Sequence, residues 1–342
     1  GTGVLLGMAA IVVDVGRLYA EREQLQTGAD AAAWAVAENC ARTPSACGGQ
    51  AATSGRYARA NAADGAAAVG VPCGRGPGLP ACPPPVDNRT ACLNAPPTTG
   101  AYVEVRTSTE RPDGGTLLPP AFAGALAGDE YSGTRVGACA RAAWGPPRLA
   151  RGLAVTFSLC EWNLLTDNGA TLWPGPGQGV PPAGAERVVY LKDNQSDTCG
   201  AGPAGWDAPG GFGWLDDATG TCETTVSAGG NYDGDTGNSV SRACETALAD
   251  LRAQRRATLI PIYDTVRGTG NNTTYHLAGF ASFVLTGYFY PSFAARSWLT
   301  GGHPCTGSRR CLYGYFTRGL VPTTRTEIGG PDLGVAVVNL VG

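Results

Sequence analysis

The sequence predicts an α+β protein: a long N-terminal α-helix, a small α+β domain, then a mainly β, disulfide-stapled C-terminal domain. Three observations predict it. Apolar residues recur at alternating spacings of four and three through residues 4–36, the period of one helix face. The twelve cysteines divide six and six around Trp144-Gly145-Pro146-Pro147. Beyond residue 150, short β-branched and aromatic runs alternate with Gly- and Pro-rich stretches, as strands alternate with turns. The expected divisions are 1–42 for the helix, 43–147 for the small domain and 148–342 for the β domain, with the Gly-Pro-Pro stretch as a linker.

The helix is the most regular feature. Its periodic positions read Val4, Met8, Ile11, Val15, Leu18, Arg22, Leu25, Ala29, Ala32 and Val36, and Arg22 alone is polar. This is an a/d seam sustained for more than four heptads. Its second half is alanine-rich, and small residues let a second helix approach closely. Helix propensity is high from Arg17 to Glu38, with Gly28 the weak point. At 1.5 Å per residue a helix over 4–41 is roughly 55 Å long. One compact domain does not bury so long a rod, so the apolar tip needs a membrane or neighbouring subunits.

Two readings of the seam stay open. It is either a membrane-anchoring stalk whose lower half packs on its own ectodomain, or an assembly helix that packs on copies of itself. Residues 1–13 carry no charge, yet they fall short of the ~20 residues that a bilayer span needs. The chain opens on Gly1, as a processed or trimmed chain would, and the apolar run continues into the amphipathic helix rather than into a signal-peptide cleavage site. Asp14 ends the run; it is expected to mark the interface and to pair with Arg17 three residues on. On the assembly reading, Ala32→Glu abolishes oligomers and leaves the ectodomain intact.

In the small domain a second helix is expected over 51–61, and strands over 102–109 and 134–143. In the β domain, strands are expected over 153–158, 187–191, 258–263, 280–290, 312–317 and 333–340. A helix over 241–255 would turn Leu248, Leu251 and Ala253 inward. Pro261 marks an edge or a bulge. Long Gly/Pro loops between strands suit a sandwich or a barrel.

The cysteines are Cys40, Cys47, Cys73, Cys82, Cys92, Cys139, Cys160, Cys199, Cys222, Cys244, Cys305 and Cys311. None has C-x-x-C spacing and there are two histidines, so zinc sites and thioredoxin-like redox pairs lack their ligands. Disulfides in an exported protein remain. Spacing alone does not fix their connectivity. Local brackets give 40 with 47, 73 with 82, 199 with 222 and 305 with 311, which leaves 92 with 139 and 160 with 244.

Chemistry is scarce. A net charge of −3 removes the electrostatic case for nucleic acid. No G-x-S-x-G elbow occurs, and His276 and His303 read as structural without a spaced acid and nucleophile. Asp233-Gly234-Asp235 is a weak calcium candidate that lacks the EF-hand's third acid and its glutamate. Trp206, Phe212 and Trp214 lie among glycines, either in a loop folded onto the core or in an exposed patch for a partner or glycan. No catalytic residue and no cofactor is expected.

The string VDVGRLYAEREQLQ, residues 13–26, followed by Ala29-Asp30-Ala31-Ala32-Ala33, resembles the TadE/TadG-like proteins of tight-adherence (Flp) pilus systems, especially those of high-GC Gram-positive bacteria. The later stretches GACARAAWGPP, GGFGWLDD, DTGNS, LIPIYD and YHLAGFASFVLTGY are similar to the ectodomains of actinobacterial members. The resemblance implies an exported, non-enzymatic surface protein with a pilin-like helix. Its partners would be copies of itself, other pilus or envelope components and the membrane at its N-terminal tip. Two departures bear on this. Leu5 stands where type IV pilins carry glutamate, and the Asp-x-Ser-x-Ser metal motif of some TadG-like proteins is absent. The alternative is a membrane-tethered secreted enzyme or carbohydrate-binding surface protein that uses the Gly/Trp loop.

Overall fold

Residues Thr2–Arg42 form one unbroken helix, α1. Gly28 does not interrupt it, because that glycine serves packing. A Cβ there would lie 3.0 Å from the Ala58 carbonyl oxygen and 3.1 Å from the Ala58 Cα. Ala58 belongs to α2 (Ala51–Ala60), which follows a 3-10 turn, Pro44–Gly49. The Cys40–Cys47 disulfide clips that turn to the end of α1. The propensity lost at Gly28, about 1 kcal/mol, is offset by the close crossing of two helices.

The computed structural model describes every residue except 1, 86–90, 123–131, 175–178, 192–206, 208–209, 236–239, 269–271 and 323–325; in α1 it describes side chains at 8, 9 and from 11 onward. The chain divides into two compact units, Gly1–Trp144 with Val338–Gly342, and Gly145–Val337. The boundary falls in the stretch read as a linker. That stretch is not a free loop: β4 (Gly137–Gly145) and β5 (Pro147–Leu153) run up to Pro146 from either side. Two further divisions differ from expectation. α1 belongs to the first unit rather than standing alone, and the last five residues return to it.

In the first unit, β1 (Ala68–Val69), β2 (Cys73–Arg75) and β4 all pair antiparallel with β3 or its continuation, β3 being Ala101–Ser108. Thr134, expected to start the last strand, makes an isolated bridge to Leu118. α1 is fastened to this sheet by polar bonds: Thr107 Oγ1 donates to the Leu25 carbonyl at 2.9 Å and Gln26 Nε2 donates to the Cys139 carbonyl at 3.1 Å. Leu25, Ala58, Ala67 and Ala138 form a small core between them. Beside β4, the Arg141 amide donates to the Gly342 carbonyl at 2.7 Å and the Val341 amide to the Arg141 carbonyl at 2.8 Å.

Asp30 sits on the half-covered flank of α1. Burial raises its carboxyl above the ordinary range, and the hydrogen bond from Gln26 partly opposes this. A raised folded-state value favours folding while the acid is protonated, and that contribution is lost as pH rises through it. Asp30→Asn keeps an acceptor for Gln26 and is expected to raise the melting temperature at pH 7 by a degree or so, of the order of a surface substitution. The gain should vanish below pH 4. An equal gain at both pH values would mean that desolvation of the charge is not the cause.

The second unit continues with β6 (Val155–Ser158), α3 (Leu159–Thr166), β7 (Trp173–Pro174), β8 (Arg187–Tyr190), β9 (Phe212–Trp214), β10 (Glu223–Ser227) and β11 (Asn231–Asp233). Then come α4 (Arg242–Gln254), β12 (Ala257–Arg267), β13 (Thr274–Tyr290), β14 (Phe293–Ala295), β15 (Cys311–Leu320), β16 (Thr326–Ile328) and β17 (Val335–Leu340), whose last three residues count with the first unit. The main sheet runs β15-β13-β12-β6-β9, and β10-β5-β16 form a second sheet. Period-two alternation sends the β12 residues to opposite faces. Leu259 and Tyr263 join Ala150 of β5 and Val226 of β10 in one core. Ile260 and Ile262 join Trp162 of α3 and Leu248 and Leu251 of α4 in the other. The arrangement is thus a sandwich on one face and helix-covered on the other. Pro261 sits beside bulges at Ile262/Tyr263 and Tyr263/Thr265, in a strand flanked by β13 and β6. Ala253 is exposed, not inward as expected, because the buried face of α4 ends at Leu251.

The disulfides 40–47, 73–82 and 305–311 pair as their brackets read, and 92–139, expected only as a remainder, forms as well. Cys222 instead bonds Cys244, which corrects both 199–222 and 160–244. The cause is helix docking. Ser241 Oγ caps α4 at the Cys244 amide (3.2 Å), and fully buried Leu248 draws the first turn onto the core, where Cys222 waits. Cys160 is also disulfide-bonded, and Cys199 lies outside the described residues. No described cysteine is free.

Candidate assembly interface

The seam of α1 divides in two. Leu25, Ala29, Ala32 and Val36 are buried within the first unit, at 0–2% exposure. Toward the N-terminus the same stripe opens: Leu18 is half-buried, while Val15 is 44%, Ile11 54% and Met8 62% exposed. The Val4 side chain lies outside the described residues. Arg22, the polar interruption of the stripe, falls at the changeover and is exposed. The stripe leaves the unit along a groove of about 370 Å³, lined by Val15, Leu18, Tyr19 and Arg22 on α1 and by Thr134, Val136 and Gly137 opposite.

Polar contacts fix where the helix emerges. The Asp14 carboxylate accepts the Ala121 amide at 2.6 Å and the Phe122 amide at 3.1 Å. Arg17 Nη1 donates to the Pro119 carbonyl at 3.4 Å. Both residues thus grip the 119–122 loop of their own unit, a tie that the i, i+3 reading of Asp14 and Arg17 did not contain. At Glu21, burial and then the nearby Asp64 push the carboxyl up, opposed by a hydrogen bond with Thr109. Sequence reasoning also passed over Val12 (69% exposed), Val13 and Tyr19 (66%), which lie off the strict seam and widen the apolar face. The signal for Val12 and Val13 was the unbroken aliphatic run from Ile11 to Val13.

The other candidates separate. Phe212 and Trp214 are 1% and 4% exposed inside the main core, edge-to-face with each other at 6.2 Å. That corrects the reading of these two as a glycan or partner contact, since neither ring has a free face. Trp206 lies outside the described residues. Asp233 and Asp235 are exposed at the end of β11; Thr274 Oγ1 donates to Asp233 at 3.2 Å. Among the described residues they do not gather with a third metal-ligating group. His276 Nδ1 lies 2.7 Å from Asp264 Oδ1, and His303 Nδ1 lies 3.0 Å from the Tyr313 hydroxyl. No described helix is long and apolar enough to cross a membrane. The cystines fit an exported chain.

No curated protein and no solved structure matches the chain. A family model described as "Tad: Putative Flp pilus-assembly TadE/G-like" matches residues 1–39. From Thr2 on, those residues are α1 up to Asn39, buried seam and open tip together, so it is this helix that carries the TadE/G-like Flp pilus-assembly signature.

Proposed function

We propose that the chain is an exported structural protein, a pilin-like subunit or pilus-associated component, that joins other copies or pilus components through the open tip of α1. The observation that carries this is the exposed run Met8, Ile11, Val12, Val15 and Tyr19 on a helix whose other half is already packed. Each such aliphatic side chain contributes about 1.5–3 kcal/mol when fully buried. A few of them, repeated in every subunit, give a helix–helix contact its driving force. The lower half then acts as the rigid base that holds the tip out.

The test is Ile11→Glu in the full chain. Its side chain is exposed in the monomer, so the monomer's melting temperature should stay within about 1–2 °C of wild type. Surface filaments or pelletable oligomers, counted by electron microscopy and sedimentation, should fall at least tenfold. Normal assembly by this variant would sink the proposal. Flotation with vesicles, together with normal solution behaviour, would place the tip in a lipid surface instead.

A further inference from the structure

The second unit is electrically polarised along its longest strand, β13. At the Thr274 end, the ladder sets Asp233 opposite Thr274, and Asp264 bonds His276. The Asp216 amide donates to the Asp233 carbonyl at 3.0 Å, and Asp207 exchanges backbone bonds with Val266 at 2.6 and 2.8 Å. With Asp217 and Asp235 beside them, these aspartates outweigh Arg267. Burial alone would raise the Asp217 carboxyl, but hydrogen bonds from Thr219 and the Cys222 amide outweigh it and hold the group below its usual range.

The Tyr288 end carries the opposite sign. Arg252 Nε and Nη2 donate to the Arg296 carbonyl at 2.9 and 2.7 Å, and Arg255 lies over the Trp298 ring at 4.6 Å. Arg256 follows, and Arg309 and Arg310 lead into Cys311, which the ladder sets opposite Phe289. Arg309 lies over Tyr190 at 5.5 Å. The nearby acids are Glu245, Asp250 and Glu186, whose carboxylate already accepts the hydroxyls of Thr286, Ser297 and Thr300. A groove of about 350 Å³ at this end offers apolar contact from Val240, Tyr290, Pro291 and Phe293, with Glu245 and Arg310 at its sides.

We propose that copies of this chain associate head-to-tail through the second unit, the aspartate end of one seating on the arginine end of the next. The two ends are about 45 Å apart along the fourteen residue steps from Thr274 to Tyr288, at ~3.3 Å per step. The Debye length is about 8 Å in physiological salt, so the ends ignore each other within one copy and attract when they touch. Ring stacking and carbonyl bonds already order several of the arginines, so little side-chain freedom is lost on docking. A contact between unlike patches propagates as an open chain unless its rotation closes a ring. This inference does not rest on the α1 reading.

The experiment is sedimentation velocity of the full chain carrying Ile11→Glu, at low salt and at about 0.5 M salt, where screening is severalfold stronger. Oligomers are expected at low salt and monomers at high salt. Two neutralised variants are then compared, Arg255→Gln/Arg256→Gln and Asp216→Asn/Asp233→Asn. Each alone should be monomeric. Mixed one to one they should form dimers and nothing larger, because each retains one live end. Monomers at low salt, oligomers indifferent to either pair of substitutions, or a mixture that stays monomeric would each overturn the proposal.

Discussion

Ala32→Glu is expected to unfold the first unit, not merely to loosen an assembly. Ala32 is fully buried, as are Ala29, Ala33, Val36 and Ala37 around it. Its helix lies against α2 closely enough that a Cβ on Gly28 would sit 3.0 Å from the Ala58 carbonyl oxygen. A glutamate there adds volume to a close-packed contact, which costs about 1–3 kcal/mol. It also takes a carboxylate out of water, at an effective penalty of several kcal/mol. Together these approach the whole stability of an ordinary domain, about 5–15 kcal/mol. Export yield should collapse, and the first unit should lose its cooperative thermal transition in near-ultraviolet dichroism. A variant that melts like wild type would show that this half of the seam is free for partners. Paired with Ile11→Glu, which should spare the fold, the comparison separates the scaffold half of α1 from the half proposed for assembly.

The period of the seam was legible in the sequence, and so was the helix. What the period did not say is which half the chain covers for itself, because a stripe every three or four residues looks the same against a neighbour or against solvent. Residue size held the answer. Alanines at 29, 32, 33, 35 and 37 bring backbones together and lie in the packed half, whereas Met8, Ile11, Val12 and Val15 keep bulky side chains in the open half. Cystines bracketing short turns were legible too. Cys222–Cys244 was not, since it depends on where α4 lands. The Gly/Trp segment was legible in part: Phe212 and Trp214 fold onto the core, as one of the two readings had it, but they do so from strand β9 rather than from a loop. β3 shows a different limit. Its alternation reads as one wet face, yet Glu104 on that face is 3% exposed. The covering layer is the segment around residues 92–97, pinned by Cys92–Cys139 and by bonds from Arg141 to the Asn94 carbonyl and from Arg75 to the Pro97 carbonyl. No local pattern in β3 announces a loop that arrives from elsewhere in the chain.

Glu104→Ala is expected to be nearly as damaging as Ala32→Glu, and its rescue is the informative result. Glu104 and Arg141 are register partners on β3 and β4, both under 5% exposed. Arg141 Nη2 and Nε reach Glu104 Oε2 at 2.5 and 3.1 Å, while Arg106 donates from Nε to Oε1 at 2.7 Å. Removing the carboxylate leaves a guanidinium in the interior without its counter-charge, which costs about 3–5 kcal/mol. Arg106, on the more exposed side, can turn to water. The double variant Glu104→Leu/Arg141→Met removes both charges and keeps the volume. Such replacements are commonly neutral or stabilising by about 1–4 kcal/mol. The Asn94 carbonyl, freed in the double variant, belongs to an exposed residue that water can reach. Urea midpoints of Glu104→Leu alone and of Arg141→Met alone should therefore fall far below wild type, like that of Glu104→Ala, while the double variant stays near it, giving a coupling of several kcal/mol in the double-mutant cycle. Losses that simply add would mean that the pair does not act as a unit. The stability of the first unit would then rest on α1 packing and its cystines, and the buried charges would be incidental to how the helix is held against the sheet.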